Sequence, residues 1–234
     1  MIVSYSRKFI FIKTKKTAST SVEAVLASGC GREDVISKAD DVFYPGSNIP
    51  IAGRLDPEAA PPAPRTYRQF RAQRKQTRGA RKRGEFYSHM TAEEIKERVD
   101  PRFWEEAFKL TVERHPYEKA VSQAYYRLNK HNRRGEDFAE FLDRTIRKGG
   151  FAGYPIWTIG GDVAVDAFIR YESLETDLKS ACERLGIAFP NELPRMKSRT
   201  RKDTRPAREI LTDEQKRIVY ELCQKDFEVL GYER

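Results

Sequence analysis

The stretch FIKTKKTASTS, from Phe11 to Ser21, constrains this chain more than any other. The apolar run that leads into it, Phe9 to Lys13, alternates little, as a strand buried on both faces does. It runs into three lysines, Lys13, Lys15 and Lys16, and then five small residues of which four carry hydroxyls. Ser19 to Leu26 reads as a helix with Val22, Val25 and Leu26 on one face. A strand, a tight loop and a helix in direct succession imply an α/β layered fold, because a doubly buried strand needs cover on both sides. They also bring backbone N–H groups and the positive end of a helix dipole to one point. With hydroxyls from Thr17, Ser19, Thr20 and Ser21, the small Ala18 and the charge of Lys16, the loop suits a phosphate or sulfate. The same residues also read as an ordinary helix start with surface lysines. The loop departs from the GxxxxGK[ST] pattern, since its glycines are missing and its lysine precedes the small residues.

The rest of the chain continues the alternation. FKLTVER (Phe108 to Arg114) reads as a second buried strand, and Pro116 suits the first turn of the helix PYEKAVSQAYYRL. A helix follows over Phe138 to Arg147, then the strand VAVDAFIRY and the helix SLETDLKSACERLG, with Gly186 as its stop. Thr91 with Glu94, and Thr212 with Gln215, form capping boxes that start two more helices. EFYSHM, before the first of these, reads as a short strand. This pattern predicts a single α/β domain over residues 1–234, with a P-loop-like central parallel sheet and helices on both faces. Ligands of such sheets sit at the carboxyl ends of the strands.

A second constellation lies at one of those ends. VERHPYEKAVS places Arg114 at the end of a strand and Ser122 eight residues on, in the following helix. Two adjacent strand ends, each offering an anion site, suit a nucleotide with two separate phosphate groups.

KTASTS at 16–21 followed by RHPYEKAVS at 114–122 resembles the sulfotransferases that use 3′-phosphoadenosine 5′-phosphosulfate (PAPS). The first motif is most similar to the PKTASTS loop of the heparan sulfate 2-O-sulfotransferase type. RYESLETDLKSACERLGI at 170–187 and DFEVLGY near the end are also similar to segments of these enzymes. The resemblance spans nearly the whole chain apart from residues 31–84. It implies that Lys16, Thr17, Ala18, Ser19, Thr20 and Ser21 hold the 5′-phosphosulfate, and Arg114 with Ser122 the 3′-phosphate. Lys15 stands where the family has proline, and Lys13 where the 2-O type has an arginine near the substrate. RMKSRTRKDTRP at 195–206 resembles the segment that closes over the nucleotide, which implies cofactor contacts by Lys197 and Thr200.

Sulfuryl transfer needs a base at the attacking hydroxyl and positive charge on the leaving oxygen. Lys16 supplies the charge. Of the three histidines, His115 lies inside the 3′-phosphate motif and His131 in a polar loop, NKHNRRG. His89 precedes a capped helix, and its segment resembles the stretch that carries the basic histidine in the 2-O type. His89 is therefore the expected base, with Glu85 and Glu23 as alternatives and a capping or core histidine as the plainer reading.

The net charge of +9 matches the nine basic residues between Arg65 and Arg83, a segment without an acid and part of an irregular insertion at about 31–84. That run suits a solvated arm or a polyanionic acceptor, and nucleic acid ranks below both. Three widely spaced cysteines imply a reducing compartment and no metal site. No apolar stretch is long enough for a membrane span, so a cytoplasmic protein is expected. The expected function is transfer of a sulfuryl group from PAPS to a hydroxyl acceptor, a saccharide, without a metal. A nucleotide or sugar kinase using Asp162 or Asp166 for Mg²⁺, and a basic nucleic-acid-binding protein, remain the alternatives.

Overall fold

A computed structural model describes residues 1–37, 86–130, 135–193, 201 and 203–234. The basic run from Arg65 to Arg83, Glu85, His131, Lys197 and Thr200 lie outside the described residues.

The chain opens with two short strands, β1 (Ile2–Ser4) and β2 (Phe9–Ile12), paired antiparallel with Val3 opposite Ile10. Helix α1 (Ser19–Ala27) leads to β3 (Val35–Ile36), which pairs antiparallel with β1. After the insertion come α2 (Ala92–Lys96), α3 (Pro101–Glu106), β4 (Phe108–Glu113) and α4 (Pro116–Lys130). Then follow α5 (Phe138–Lys148), α6 (Tyr154–Trp157), the small hairpin β5 (Thr158–Ile159) and β6 (Asp162–Val163), and β7 (Ala167–Arg170). A 3₁₀ turn (Tyr171–Ser173), α7 (Leu174–Leu185), α8 (Ala207–Ile210) and α9 (Asp213–Leu230) complete the described chain.

The main sheet has the order β3-β1-β2-β4-β7. Strands β2, β4 and β7 are parallel, as βα alternation requires. The sheet as a whole is mixed, which corrects the expectation of a parallel sheet. The antiparallel half comes from β1 and β3, of three and two residues, too short for their sequence pattern to announce.

All four residues of β2 are fully buried, and their alternation divides them between two apolar layers. Phe9 and Phe11 pack with Val22 and Leu26 of α1 and Leu178 and Cys182 of α7. Ile10 and Ile12 pack with Ile95 of α2, Trp104 of α3 and Trp157 of α6. Helices therefore cover both faces. A third cluster joins α4, α5 and α9 through Val121, Phe141, Leu142, Val219 and Phe227. Among the described residues no helix is long and apolar enough to cross a membrane.

Arg7, in the turn between β1 and β2, ties two helix ends together. Its Nε donates to the Gly29 carbonyl at 2.6 Å, and its Nη1 to those of Leu185 and Gly186 at 2.9 and 2.7 Å. A cation there complements the negative ends of α1 and α7. The junction is tight: a Cβ at Gly29 would stand 2.5 Å from Ile187 Cγ1 and 3.2 Å from Arg7 Nε. Gly29→Ala is thus expected to cost about 1–3 kcal/mol by overpacking, or roughly 2–4 °C of melting temperature per kcal/mol. Thermal melting of the variant measures this, and an unchanged midpoint would mean that Ile187 moves aside freely.

Candidate functional site

The carboxyl ends of β2, β4 and β7 lie side by side, and the loop after β2 is held there under strain. Lys16 (φ 64°) and Ala18 (φ 59°) are both left-handed without being glycine, at about 1–3 kcal/mol each. Three inward hydroxyls hold the loop in this shape. Thr14 Oγ1 donates to the Val112 carbonyl of β4 and lies 2.9 Å from Thr17 Oγ1. Ser19 Oγ donates to the Thr14 carbonyl at 2.7 Å. Thr17 and Ser19 are buried, and their hydroxyls bond within the loop. What the loop leaves for an anion is backbone: α1 starts at Ala18 with no side-chain cap. Thr20 is half-buried and Ser21 buried in this first turn, and the Ser21 N–H donates to the Ala18 carbonyl at 2.8 Å.

Lys13, expected near the substrate, is held inside the fold. It is buried and paired with Glu23 of α1, which also pairs with the Met1 amino group. Burial alone would push the Glu23 carboxyl up; the two cations beside it overcome that and hold it at about 2. A carboxylate so strongly ionised is a poor proton acceptor, which weakens Glu23 as an alternative base.

His89 lies in a turn and not at a strand end, with φ 62°. Its Nδ1 is 3.0 Å from the Lys13 carbonyl at the end of β2. A carbonyl only accepts, so Nδ1 carries the hydrogen and Nε2 keeps its lone pair. Burial, and next the Lys13 charge, push the imidazole down to about 3, with the Met1 amino group and Lys15 adding to the effect. The ring is neutral in the free chain and, like the Glu23 carboxylate, a weak proton acceptor there, so a base role needs the imidazole lifted when ligands bind.

On the β4 side, Glu118, Ser122 and Tyr126 recur every fourth residue on one face of α4, and Arg114 stands between β4 and the start of that helix. Arg114 Nη2 donates to Glu118 at 2.9 Å, and its guanidinium lies 3.9 Å over the Tyr171 ring. Its Nε is buried without a hydrogen-bond partner. Glu118 also accepts from Arg201 Nη1 at 2.5 Å and from the Ala207 N–H at 2.6 Å. Arg201 and Arg114 thus share the Glu118 carboxylate. At the other end of the face, Lys16 Nζ lies 4.2 Å over the Tyr126 ring. The two sequence motifs, some 100 residues apart, meet along this helix face. Glu118, Tyr171 and Arg201 were missed in the sequence; the four-residue spacing after Arg114 was the available signal for Glu118.

Beneath this face is a buried ionic network. Glu113, the last residue of β4, pairs with Lys119 at 2.6 Å and accepts from Trp157 Nε1 at 3.0 Å. Asp226 of α9 lies 3.9 Å from Lys119 and accepts from the Gly153 and Tyr154 N–H groups at 2.8 and 3.2 Å. Burial raises the pKa of both carboxyls. Burial acts to lower that of Lys119, but Glu113 and Asp226 outweigh it and raise it. The network locks α4 onto the strand end.

His115 plays a structural part. Its backbone N–H donates to Glu172 at 2.8 Å, and its ring packs on Tyr117, Phe227 and Tyr232. Asp166 stands at the amino end of β7, where it accepts from the Lys109 N–H at 2.7 Å. Among the described residues no group of three His, Cys, Asp or Glu side chains is placed to hold a metal ion. No family model, curated protein or solved structure matches this chain.

Proposed function

We propose that this chain is a sulfotransferase that moves a sulfuryl group from PAPS to a hydroxyl of an acceptor, a saccharide. The observation that carries the reading is the meeting, at adjacent parallel strand ends, of the uncapped, strained loop with the Ser122–Tyr126 face of α4, which Arg114 precedes. The donor brings an activated sulfuryl group and two separated phosphates. Its fit is supported by the α1 N-terminus, free of a side-chain cap, and by the buried Arg114 Nε, which has a donor to spare.

Each residue then has a task. Lys16 and the first turn of α1 neutralise the phosphosulfate end, while Arg114 and Ser122 take the 3′-phosphate. His89 Nε2 accepts the proton of the attacking hydroxyl. The acceptor oxygen forms its bond to sulfur as the bond from sulfur to the bridging oxygen breaks. That electron pair leaves with 3′,5′-adenosine bisphosphate, and Lys16 stabilises the charge there. The kinase reading relies on Asp162 or Asp166 for Mg²⁺, but Asp162 lies in the separate β5–β6 hairpin and Asp166 at the amino end of β7, while Glu113 at the carboxyl end of β4 is paired with Lys119.

Titration calorimetry with 3′,5′-adenosine bisphosphate, with ATP and Mg²⁺, and with a short oligonucleotide tests the proposal. Binding of the bisphosphate is expected. Lys16→Ala and Arg114→Ala should each weaken it by about 1.5–3 kcal/mol, the worth of a charge-assisted contact, or about tenfold to a hundredfold. Lys16→Ala adds no backbone penalty, since lysine already bears the left-handed φ there. Unchanged affinity in either variant removes that residue from the site, and preference for ATP with Mg²⁺ overturns the reading.

A further inference from the structure

Glu118 has no step in the transfer, yet its carboxylate gathers donors from three separate parts of the chain. Its Oε2 accepts from Arg114 Nη2, just past β4, at 2.9 Å and from Arg201 Nη1 at 2.5 Å. Its Oε1 accepts at 2.6 Å from the N–H of Ala207, the first residue of α8. Burial alone would push this carboxyl up, but the Ala207 N–H, the Arg201 bond and the two guanidinium charges hold it below its usual range. The plain reading is structural: an acid in the first turn of α4 complements the helix dipole and pins α8 in place. Arg114 points further. Its guanidinium is held by Glu118 at Nη2 and by the Tyr171 ring 3.9 Å beneath its face, and the next N–H in the chain, that of His115, donates to Glu172 at 2.8 Å. Its buried Nε has no hydrogen-bond partner among the described residues. An arginine stem normally loses rotamer freedom when it takes up an anion, and here that freedom is already lost. Charge decides between holding and blocking. One carboxylate lies between two guanidiniums, so the cluster stays net positive, and Arg201 offsets Glu118 while Arg114 keeps an unused donor.

We propose that Glu118 is a positioning residue: by holding Arg114 Nη2 it presets the guanidinium for the 3′-phosphate of the donor, and it does not compete with that phosphate. The inference rests on the sulfotransferase reading for the identity of the anion. Glu118 itself touches no ligand and acts through Arg114.

The test titrates 3′,5′-adenosine bisphosphate and adenosine 5′-monophosphate, which lacks the 3′-phosphate, into the full chain by calorimetry. The chain is used as wild type, Glu118→Gln, Arg114→Ala and the double variant. Glutamine keeps the length and the acceptor for the Ala207 N–H, but its amide nitrogen cannot accept from an arginine. Glu118→Gln is expected to weaken the bisphosphate about tenfold, as loss of one charge-assisted contact does, and to leave the monophosphate unchanged. In the Arg114→Ala background the same substitution should change neither ligand, because the residue it acts through is gone. Both ligands are read on one preparation, so partial unfolding does not mimic a change in their ratio. Glu118→Asp, which withdraws the charge by one methylene, should show the same loss and serves as the second variant. A purely structural Glu118 lowers both ligands together, and a blocking Glu118 makes the glutamine variant bind the bisphosphate more tightly. Either result overturns the inference, as does an equal loss with and without Arg114. A wild type that does not distinguish the bisphosphate from the monophosphate overturns the donor reading and the positioning role with it. A wild type that does distinguish them, with the ratio unmoved in Glu118→Gln, overturns the role of Glu118 alone.

Discussion

His89→Asn is expected to lower kcat by about 10²–10⁴-fold, the usual worth of a positioned general base, while leaving the affinity for 3′,5′-adenosine bisphosphate unchanged. Asparagine is the informative replacement because position 89 has φ 62°, a conformation that asparagine tolerates better than most residues. His89→Ala would add backbone strain and blur the result. The pH dependence separates base catalysis from a structural role. In the free chain the imidazole is pushed down to about 3, by burial first and then by the Lys13 charge. An anionic donor bound at the loop after β2 adds negative charge near the ring and lifts the imidazole. The acid limb of kcat, which reports the complex, should therefore lie above that of kcat/KM, which reports the free enzyme. Stability carries the same signature. Between pH 6.5 and about 3 the unfolded histidine binds a proton that the folded one does not, so stability falls as pH falls through that window. His89→Asn should remove that part of the acid sensitivity. Near-normal turnover in the variant would take His89 out of the mechanism and return the search to Glu85.

Lys119→Met is the second large effect, and it acts on stability. Lys119 is 1% exposed, and its stem is matched by methionine in length, so the space it fills is largely kept. What is lost is the cation between Glu113 and Asp226. Breaking a buried ion pair from one side typically costs about 3–5 kcal/mol, because the partner charges stay buried. Both carboxyls are already raised in the folded chain. The folded state thus binds more protons than the unfolded one above the ordinary carboxyl range, and stability falls as pH rises through it. Without Lys119 the carboxyls rise further and the fall extends to higher pH, so the variant should regain much of its loss when acidified. Chemical denaturation across pH 4–8 measures this. A variant as stable as wild type at neutral pH, or equally destabilised at every pH, would contradict the ionic account. Bisphosphate affinity should fall with stability here, since the network sets the position of α4, which carries Ser122, relative to the end of β4, which Arg114 follows.

Parts of this architecture rest on local chemistry and could be read directly. The helix starts at Thr91 and Thr212 are capping boxes whose two hydrogen bonds are both formed, and Gly186 ends α7 in the left-handed conformation. The strand–loop–helix succession at 9–27 and 108–130 needed only apolar runs and turn residues a few positions apart. These signals are short-range, so the order of residues along the chain carries them in full.

Other features depend on groups far apart in the chain. Strands β1 and β3 exist because their neighbours complete their hydrogen bonds; two or three residues hold no pattern of their own. The hydroxyls of Thr17 and Ser19 turned inward because the strained loop needs Thr14 and the Val112 carbonyl of β4, nearly 100 residues away, to hold it. Lys13 was drawn into the interior by Glu23, and Arg114 acquired Arg201 through Glu118 across more than 80 residues. Residue types and spacing announced that anions suit the two strand ends. Which charges face those ends, and which neutralise one another inside, was decided by packing, since a buried charge must find its partner wherever the fold brings one.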